Sequence, residues 1–301
     1  MAEAAGHKFG QFIGEYCEKA MEPLLQKFAD DHGLYLDKKG KRAARKGVKL
    51  SWIDENEFGH DLDYVLERGG TPSKIGTPVA FIESAWRRYT KHSKNKAQEI
   101  TGAVLPIAGK HRFSAPLMGC ILAGEYTTPA LEQLRGLGFK VLHLGYDSVV
   151  AAFKSVGIDA RFNEKTSEQD LLEKKRQWNM LPARAKASVW DTLVEANRSS
   201  VDEFLRHLEH AVKRQITAIR IIPLHGSAAD CLSIAQAISF VENYDEQAAH
   251  GPLVKYEVII RYDDAARIEA FFDDRVSTIE FLEAYISGNY TPVTDLDDEV
   301  E

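Results

Sequence analysis

The chain has 301 residues and a formal net charge of −7, which argues against a protein that coats nucleic acid over its whole surface. Its apolar fraction of 44% indicates a globular protein, and no apolar run reaches the roughly twenty residues that a membrane span needs. Its three widely spaced cysteines exclude a cysteine zinc site and indicate a reducing, cytoplasmic setting. The start of the chain lacks a basic stretch followed by an apolar core, so we predict no signal peptide.

Apolar spacing predicts one helix and three strands in the first ninety residues. Apolar residues that recur every three or four positions predict a helix over 8–32. Short apolar runs with β-branched and aromatic residues, bounded by Gly and Pro, predict strands at 48–53, 60–67 and 78–88. The last two strands contain acidic residues, and a carboxylate is costly to bury in a strand unless it has a partner.

The segment 37–49, between the helix and the first strand, is the most basic of the chain and reads DKKGKRAARKGVK. A lysine- and arginine-rich run with glycine is typical of a solvated surface loop. It also suits contacts with a phosphate backbone, because cations that neutralise phosphates release bound counterions. The cations that we select for such contacts are Lys41, Arg42, Arg45 and Lys46.

The acids of the second and third strands are Asp61, Asp63 and Glu83. Side chains alternate along a strand, so Asp61 and Asp63 share one face, and pairing of the two strands would bring Asp63 and Glu83 together. Close carboxylates repel each other, and a divalent cation relieves that repulsion. We therefore predict a Mg²⁺ site held by Asp63 and Glu83, with Asp61 as a further candidate ligand. Such a metal activates water and stabilises the charge on a phosphodiester.

A dense basic segment follows Glu83. Its cations are Arg87, Arg88, Lys91, Lys94 and Lys96. A basic helix start beside two carboxylates is hard to explain by solubility alone, and it makes sense if a polyanion passes there. We predict that Arg87, Arg88 and Lys91 contact phosphates, which position a protein on DNA without specifying a sequence.

An acid in one strand, a second acid twenty residues later in the next strand, and then a basic helix resemble the PD-(D/E)xK nuclease superfamily of restriction endonucleases. The resemblance implies that Asp63 and Glu83 are the metal ligands. The family's lysine lies two residues after the second acid, where this chain has Ala85. Either Lys94 or Lys96 of the following helix replaces that lysine, to orient water or to stabilise the developing charge, or the site is impaired.

The N-terminal helix fits the same resemblance. It carries Glu15 and Glu18 one turn apart, and in the family a Glu of the corresponding helix can flank the metal site. A solvated helix face is the alternative interpretation of Glu15.

Strands and helices alternate after the basic segment. Strands are predicted at 114–126 and 139–147, and helices at 127–138 and 148–157. Thr128 is a candidate cap of the first of these helices. This alternation predicts a mixed sheet with helices on both of its faces.

The C-terminal half has a plausible α+β pattern but no recognisable catalytic motif. Its predicted elements are helices over 163–180 and 182–213, a strand over 218–226, a helix over 227–244 with Ser227 as cap, a hairpin over 255–274 and a helix over 278–286.

These elements predict an α/β fold with a restriction-endonuclease-like mixed central sheet flanked by helices, followed by an α+β C-terminal region. The resemblance covers roughly residues 8–150. We expect the nuclease core at 1–160 and a region for DNA recognition, dimerisation or partner docking at 161–290. The acidic tail, 291–301, is expected to be disordered.

The expected function is Mg²⁺-dependent hydrolysis of DNA phosphodiester bonds by an endonuclease, and the resemblance suggests restriction or defence against foreign DNA. The alternative is a catalytically inactive DNA-binding or assembly subunit of a defence complex, for which Ala85 is the main observation. A homodimer, a methyltransferase and other defence proteins are the protein partners that the resemblance suggests. A small-molecule α/β enzyme is disfavoured, because the chain has neither a glycine-rich phosphate loop nor a nucleophile elbow.

Overall fold

The structure is a computed structural model, and it describes residues 2–247 and 253–286. The helices of these residues are α1 (Ala2–Asp31), α2 (Ser93–Lys110), α3 (Thr128–Gly136), α4 (Tyr146–Lys154), α5 (Glu168–Met180), α6 (Ala183–Ala196), α7 (Arg198–Lys213), α8 (Ile234–Asn243) and α9 (Arg275–Ile286). The strands are β1 (Leu34–Lys38), β2 (Ser51–Ile53), β3 (Gly59–Asp61), β4 (Tyr64–Arg68), β5 (Thr77–Arg87), β6 (Leu117–Gly124), β7 (Lys140–Gly145), β8 (Ile216–Pro223), β9 (Ala229–Cys231), β10 (Tyr256–Tyr262) and β11 (Arg267–Phe272).

The central sheet has five strands in the order β1-β4-β5-β6-β7. Strands β1, β4 and β5 pair in antiparallel fashion, whereas β5, β6 and β7 are parallel. The parallel connections run through α2 and α3, as such crossovers require. The mixed sheet predicted from the sequence is therefore confirmed.

Helices cover both faces of this sheet. Helices α1, α4 and α7 pack on one face around buried residues such as Ile82 and Phe153. Helices α2 and α3 pack on the other face, with Phe81, Val104 and Leu134 in the core. Full burial of a side chain of this size stabilises the fold by about 1.5–3 kcal/mol, so both layers contribute to holding β4 and β5 in place.

Helices α5, α6 and α7 belong to the same core as the first face of the sheet. Leu171, Trp178, Val189 and Phe204 are buried in that core together with residues of α1 and β5. The first packed unit therefore extends to the end of α7, beyond residue 160, where the sequence placed the boundary.

The second packed unit is the α+β C-terminal region that the sequence predicted. Its antiparallel sheet has the order β11-β10-β8-β9, and α8 and α9 pack on it around a separate core. Its contacts with the first unit include hydrogen bonds from the Arg214 guanidinium to the carbonyls of Ser114 and Ala115 (2.7 Å to Ala115) and from the Tyr285 hydroxyl to the Phe113 carbonyl (2.8 Å). Phe113 and Ala115 also pack against the second core. The acidic tail at 291–301 lies outside the described residues.

Several local boundaries differ from the sequence prediction. The predicted strand 60–67 is two strands, because the chain leaves the β2–β3 hairpin at Asp61 and joins the central sheet only at Tyr64. Helix α2 starts at Ser93, after β5 has continued to Arg87.

The helix caps also differ from the prediction. Thr127, rather than Thr128, caps α3 by accepting a hydrogen bond from the Ala130 N–H. Ser233, rather than Ser227, caps α8, because strand β9 occupies the residues between them.

Candidate active site

Two acids face each other across β4 and β5 at one end of the sheet. The register pairs Tyr64 with Ile82, so Asp63 stands opposite Glu83 one position further along. The Ser84 N–H donates a hydrogen bond of 2.7 Å to Oδ2 of Asp63, which fixes this carboxylate on the strand that carries Glu83. The sequence-predicted pair is therefore brought together by the tertiary structure.

Glu83 is buried and incompletely satisfied. Glu83 is only 7% exposed, and its Oε1 has no hydrogen-bond partner among the described residues. Burial, followed by the charge of Asp63, raises the pKa of Glu83 to about 8, while the Lys96 ammonium and the Asp63 N–H act in the opposite direction. Burial of a carboxylate oxygen without a hydrogen-bond partner costs free energy. A bound cation would remove that cost, so the surroundings of Glu83 suit a metal ligand.

Asp63 shares this environment. Burial raises its pKa, although the Ser84 N–H and the positive charges of Lys96 and Lys39 lower it. Two adjacent carboxylates with raised pKa values are most stable when one proton or one cation is shared between them.

Lys96 is a basic residue whose charge acts on this pair, while its ammonium lies 3.3 Å from Oε2 of Glu99. Ala85, at the place of the family's lysine, is buried against the start of α2 in a core that also holds Ala97 and Ile100. A small residue there lets the helix pack closely on β5. The Lys96 side chain is only 20% exposed, and its charge lowers the pKa of both Asp63 and Glu83.

Lys94, the other candidate lysine, is exposed, and its charge contributes to the pKa shift of neither Asp63 nor Glu83. Of the two candidate lysines, only Lys96 is therefore both mostly covered and electrostatically linked to the acid pair.

Glu18 of α1 is a third acid near the pair. Burial, followed by the charge of Asp63, raises its pKa, and its backbone carbonyl accepts a 2.6 Å hydrogen bond from the Tyr64 hydroxyl. Glu15, the alternative on the same helix, is exposed. A signal in the sequence was available, because Glu18 lies between the buried Leu25 and Ala29 in helical angle, whereas Glu15 lies one turn earlier and about 60° further from the buried stripe.

Asp61 is not part of this group. It lies in β3, with its side chain 50% exposed, and makes an ion pair of 2.5 Å with Lys49 and a hydrogen bond with the Ser51 hydroxyl. The Lys49 hydrogen bond is the main reason that the pKa of Asp61 is lowered. The alternation argument fails for Asp61 because the strand is broken between it and Asp63.

Arg42 and Arg45 are structural residues and not surface cations. Arg42 is 6% exposed, and its guanidinium bonds both Asp37 (2.5 Å) and Glu67 (2.7 and 2.8 Å). It also donates to the Thr71 and Lys74 carbonyls. Arg45 bonds both oxygens of the Asp37 carboxylate at 2.9 Å. Neither guanidinium is available to DNA, so these two predicted contacts are replaced by a buried ion-pair network.

The other predicted phosphate contacts have different surroundings. Lys41 and Lys46 are exposed on the 39–50 loop. Arg87 is partly exposed and lies 3.5 Å from Glu99, and Lys91 is exposed and lies 3.7 Å from Glu164.

Arg88 is engaged within the protein. Its Nε donates a 2.7 Å hydrogen bond to the Phe162 carbonyl, and its guanidinium lies over the Tyr146 ring at 4.1 Å. These contacts anchor the segment after α4, and they engage the guanidinium predicted to contact phosphate.

The residues present fit a hard divalent cation. Within the described ranges, no group of three or more His, Cys, Asp or Glu side chains is arranged to hold a metal. Mg²⁺ needs no such group, because one or two carboxylates, waters and phosphate oxygens commonly complete its coordination. The orphaned Oε1 of Glu83 opposite Asp63 is the feature that a cation would satisfy.

Comparisons with known proteins give little further information. No protein-family model and no curated protein matches the chain. A solved structure titled "Crystal Structure of Protein of Unknown Function AF1548" aligns over 65% of this chain and 94% of its own length, with 12% identity and a TM-score of 0.30. A likeness at this level carries no argument about fold or function.

No helix in residues 2–247 or 253–286 combines the length and the hydropathy that crossing a lipid bilayer demands.

Proposed function

We propose that this protein is a Mg²⁺-dependent DNA endonuclease of the restriction-endonuclease-like class. The observation that carries the proposal is the buried carboxylate of Glu83, with one oxygen unpartnered among the described residues, opposite Asp63. Ion pairs that only stabilise a fold satisfy their oxygens, as Arg42 does for Glu67 in the same sheet. The Asp63–Glu83 pair differs from such a pair because, among the described residues, no guanidinium or ammonium lies within 4.0 Å of either carboxylate.

The proposed roles follow from position and charge. Asp63 and Glu83 would hold the cation, which supplies an activated water and charge stabilisation on the phosphodiester. Lys96 of α2, whose charge acts on both acids, would orient the attacking water or stabilise the negative charge of the transition state. Glu18, on the α1 side, would hold a water of the cation's shell.

The surface around this site is suited to DNA. Lys41 and Lys46 are exposed cations of the 39–50 loop, and Arg87 and Lys91 are partly or fully exposed cations that follow Glu83 in the chain. Such contacts give sequence-independent, salt-sensitive affinity. The cytoplasmic setting, a homodimer, and defence partners such as a methyltransferase remain predictions.

The test is a cleavage assay on unmodified supercoiled and linear DNA with Mg²⁺, Mn²⁺ or EDTA, comparing the wild type with Asp63→Ala. We expect metal-dependent cutting that EDTA and the substitution both abolish. Cutting that persists in Asp63→Ala would remove the acid pair from the mechanism.

The second candidate function is a DNA-binding subunit with a nuclease fold and no activity, favoured by Ala85 at the motif-lysine position. It predicts DNA retention at low salt without cleavage under any of the three metal conditions. A Lys96→Met variant distinguishes the two readings, because it would change nothing measurable in a protein that only binds DNA through its exposed surface.

A further inference from the structure

A second lysine lies close to the acid pair at the end of the sheet. Strand β1 ends at Lys38, which pairs with Tyr64, the first residue of β4. Lys39 directly follows Lys38 and Asp63 directly precedes Tyr64, so these two residues lie at neighbouring ends of the two antiparallel strands. The hydrogen bond from the Ser84 N–H joins Asp63 to β5 beside Glu83. The strand ends therefore bring Lys39 to the end of the sheet that carries the acid pair.

The backbone on both sides of Lys39 is held in place. The Gly40 N–H donates to the Val48 carbonyl at 2.8 Å, and Nη2 of Arg45 donates to the carbonyls of Lys38 (2.9 Å) and Gly40 (3.3 Å). Arg45 is itself fixed by Asp37. Gly40 has φ +145°, which turns the chain away from the sheet immediately after Lys39. The buried arginine network therefore sets the position of Lys39.

The side chain of Lys39 is exposed, and its positive charge acts on the nearby acids. It lowers the pKa of Asp63, Glu18 and Asp61. Its neighbours are used differently, since Lys38 pairs with Glu22 and Lys49 pairs with Asp61. In the part of the chain that the structure describes, no carboxylate lies within 4.0 Å of the Lys39 ammonium.

Lys39 and Lys96 come from different elements and differ in exposure. Lys96 belongs to α2 and is mostly covered, whereas Lys39 is exposed and directly follows the last residue of β1. Of the two lysines, Lys39 is therefore the more accessible to a phosphodiester from solvent. A flexible, exposed ammonium with three donors is suited to a phosphate oxygen.

We propose that Lys39 binds a non-bridging oxygen of the phosphodiester that is cleaved at the Asp63–Glu83 pair, and so positions it for attack. This inference rests on the proposed nuclease function. In the family that the sequence resembles, a single motif lysine has this role, and Ala85 stands at its position here. Lys39 and Lys96 share that role in this proposal. Lys96 acts from its mostly covered position, and Lys39 contacts the substrate from its exposed position.

The experiment compares wild type, Lys39→Met, Lys39→Arg and Lys175→Met in single-turnover cleavage of a duplex with Mg²⁺. Lys175 of α5 is the control, because it is an exposed lysine outside the acid site and the proposed DNA surface. We expect a rate loss of about 100-fold in Lys39→Met, as for the removal of one donor to a developing oxyanion. We expect partial recovery in Lys39→Arg, and a rate near wild type in Lys175→Met under saturating enzyme.

A second measurement separates substrate contact from an effect on the metal or the fold. The Mg²⁺-induced rise in the thermal unfolding midpoint should be retained in Lys39→Met, because the acid pair is intact. A lost Mg²⁺ response would overturn the inference, and so would a Lys39→Met rate equal to that of Lys175→Met. A wild type that does not cut at all would instead overturn the proposed function, and the inference with it.

Discussion

The Ser84 N–H donates a 2.7 Å hydrogen bond to Oδ2 of Asp63, and this bond joins the acid at the start of β4 to the strand that carries Glu83. Asp63 precedes the first paired residue of β4, where the chain has just left the β2–β3 hairpin. Without this bond the carboxylate could turn towards solvent, as the Asp61 carboxylate does two residues earlier. The bond therefore determines which of the two aspartates belongs to the site.

Asp63→Asn should abolish cleavage while the protein stays folded. Asparagine retains an acceptor for the Ser84 N–H but loses the negative charge that a cation requires. We expect a rate loss of more than about 100-fold, since even residues that only support metal ligands cost 10–100-fold. The measurement is single-turnover cleavage with Mg²⁺. Asp61→Asn is the control and should cut at nearly the wild-type rate; equal losses in both variants would contradict the assignment.

Glu83→Gln should stabilise the metal-free protein, and more so at higher pH. The folded-state pKa of Glu83 is about 8 and its ordinary value is 4.5. The stability associated with the protonated form is therefore fully present below about pH 4.5 and is lost as pH rises through 8. We expect Glu83→Gln to gain on the order of 1–3 kcal/mol over wild type at pH 8.5, and almost nothing at pH 5.

Urea unfolding at a series of pH values in EDTA gives this difference directly. Because both proteins share all other titrating groups, the difference between them isolates Glu83. A difference that is the same at pH 5 and pH 8.5 would show that Glu83 does not titrate in this range. Added Mg²⁺ should stabilise the wild type and not Glu83→Gln, with a larger effect at pH 8.5 than at pH 6, because the cation displaces the proton.

Lys96→Met should reduce cleavage by about 100-fold, and Lys94→Met should leave it nearly unchanged. Lys96 lowers the pKa of both acids from a mostly covered position, whereas Lys94 is exposed on the same helix. Both variants are compared by single-turnover rate with Mg²⁺. A larger loss in Lys94→Met would assign the missing motif lysine to the other residue.

Arg42→Met should destabilise the fold by about 3–5 kcal/mol, because it leaves Asp37 and Glu67 buried without their guanidinium. Urea unfolding measures the change, with Lys41→Met as a neighbouring control that should stay within about 0.5 kcal/mol of wild type. A stable Arg42→Met protein with weakened DNA binding would restore Arg42 to the DNA surface.

Replacing both Lys41 and Lys46 by alanine should weaken DNA binding without changing stability. Each lost phosphate contact should reduce the slope of log affinity against log salt by about one, so we expect a change of about two. Binding is measured in Ca²⁺, in place of Mg²⁺, at several salt concentrations. An unchanged slope would make these lysines solvated surface residues only.

Local sequence pattern was sufficient for much of the fold. The apolar run of β5 and the helical spacing of α1 predicted a strand and a helix that the structure confirms. Such predictions work because the residues that an element buries recur in the sequence with the period of that element. The facing of Asp63 and Glu83 also followed from strand alternation and pairing of neighbouring strands. These are interactions between elements that are close in sequence.

The surroundings of the site depended on contacts between distant residues. Arg42 belongs to a basic run that reads as surface, yet it is buried because β1 and β4 pair and bring Asp37 and Glu67 together. Asp61 satisfied the alternation rule, yet a break in the strand left it in a different hairpin.

The sequence by itself thus determined the mixed sheet and its two facing acids, because hydrophobic periodicity and strand alternation are local properties. Only the tertiary structure decided which charges surround those acids. Glu18, Lys39 and Lys96 come from a helix, a strand end and a second helix that are far apart in the chain, and packing brings them to one place. The effect of a charged side chain depends on the residues that surround it in space, and the periodicity of the sequence does not predict those residues.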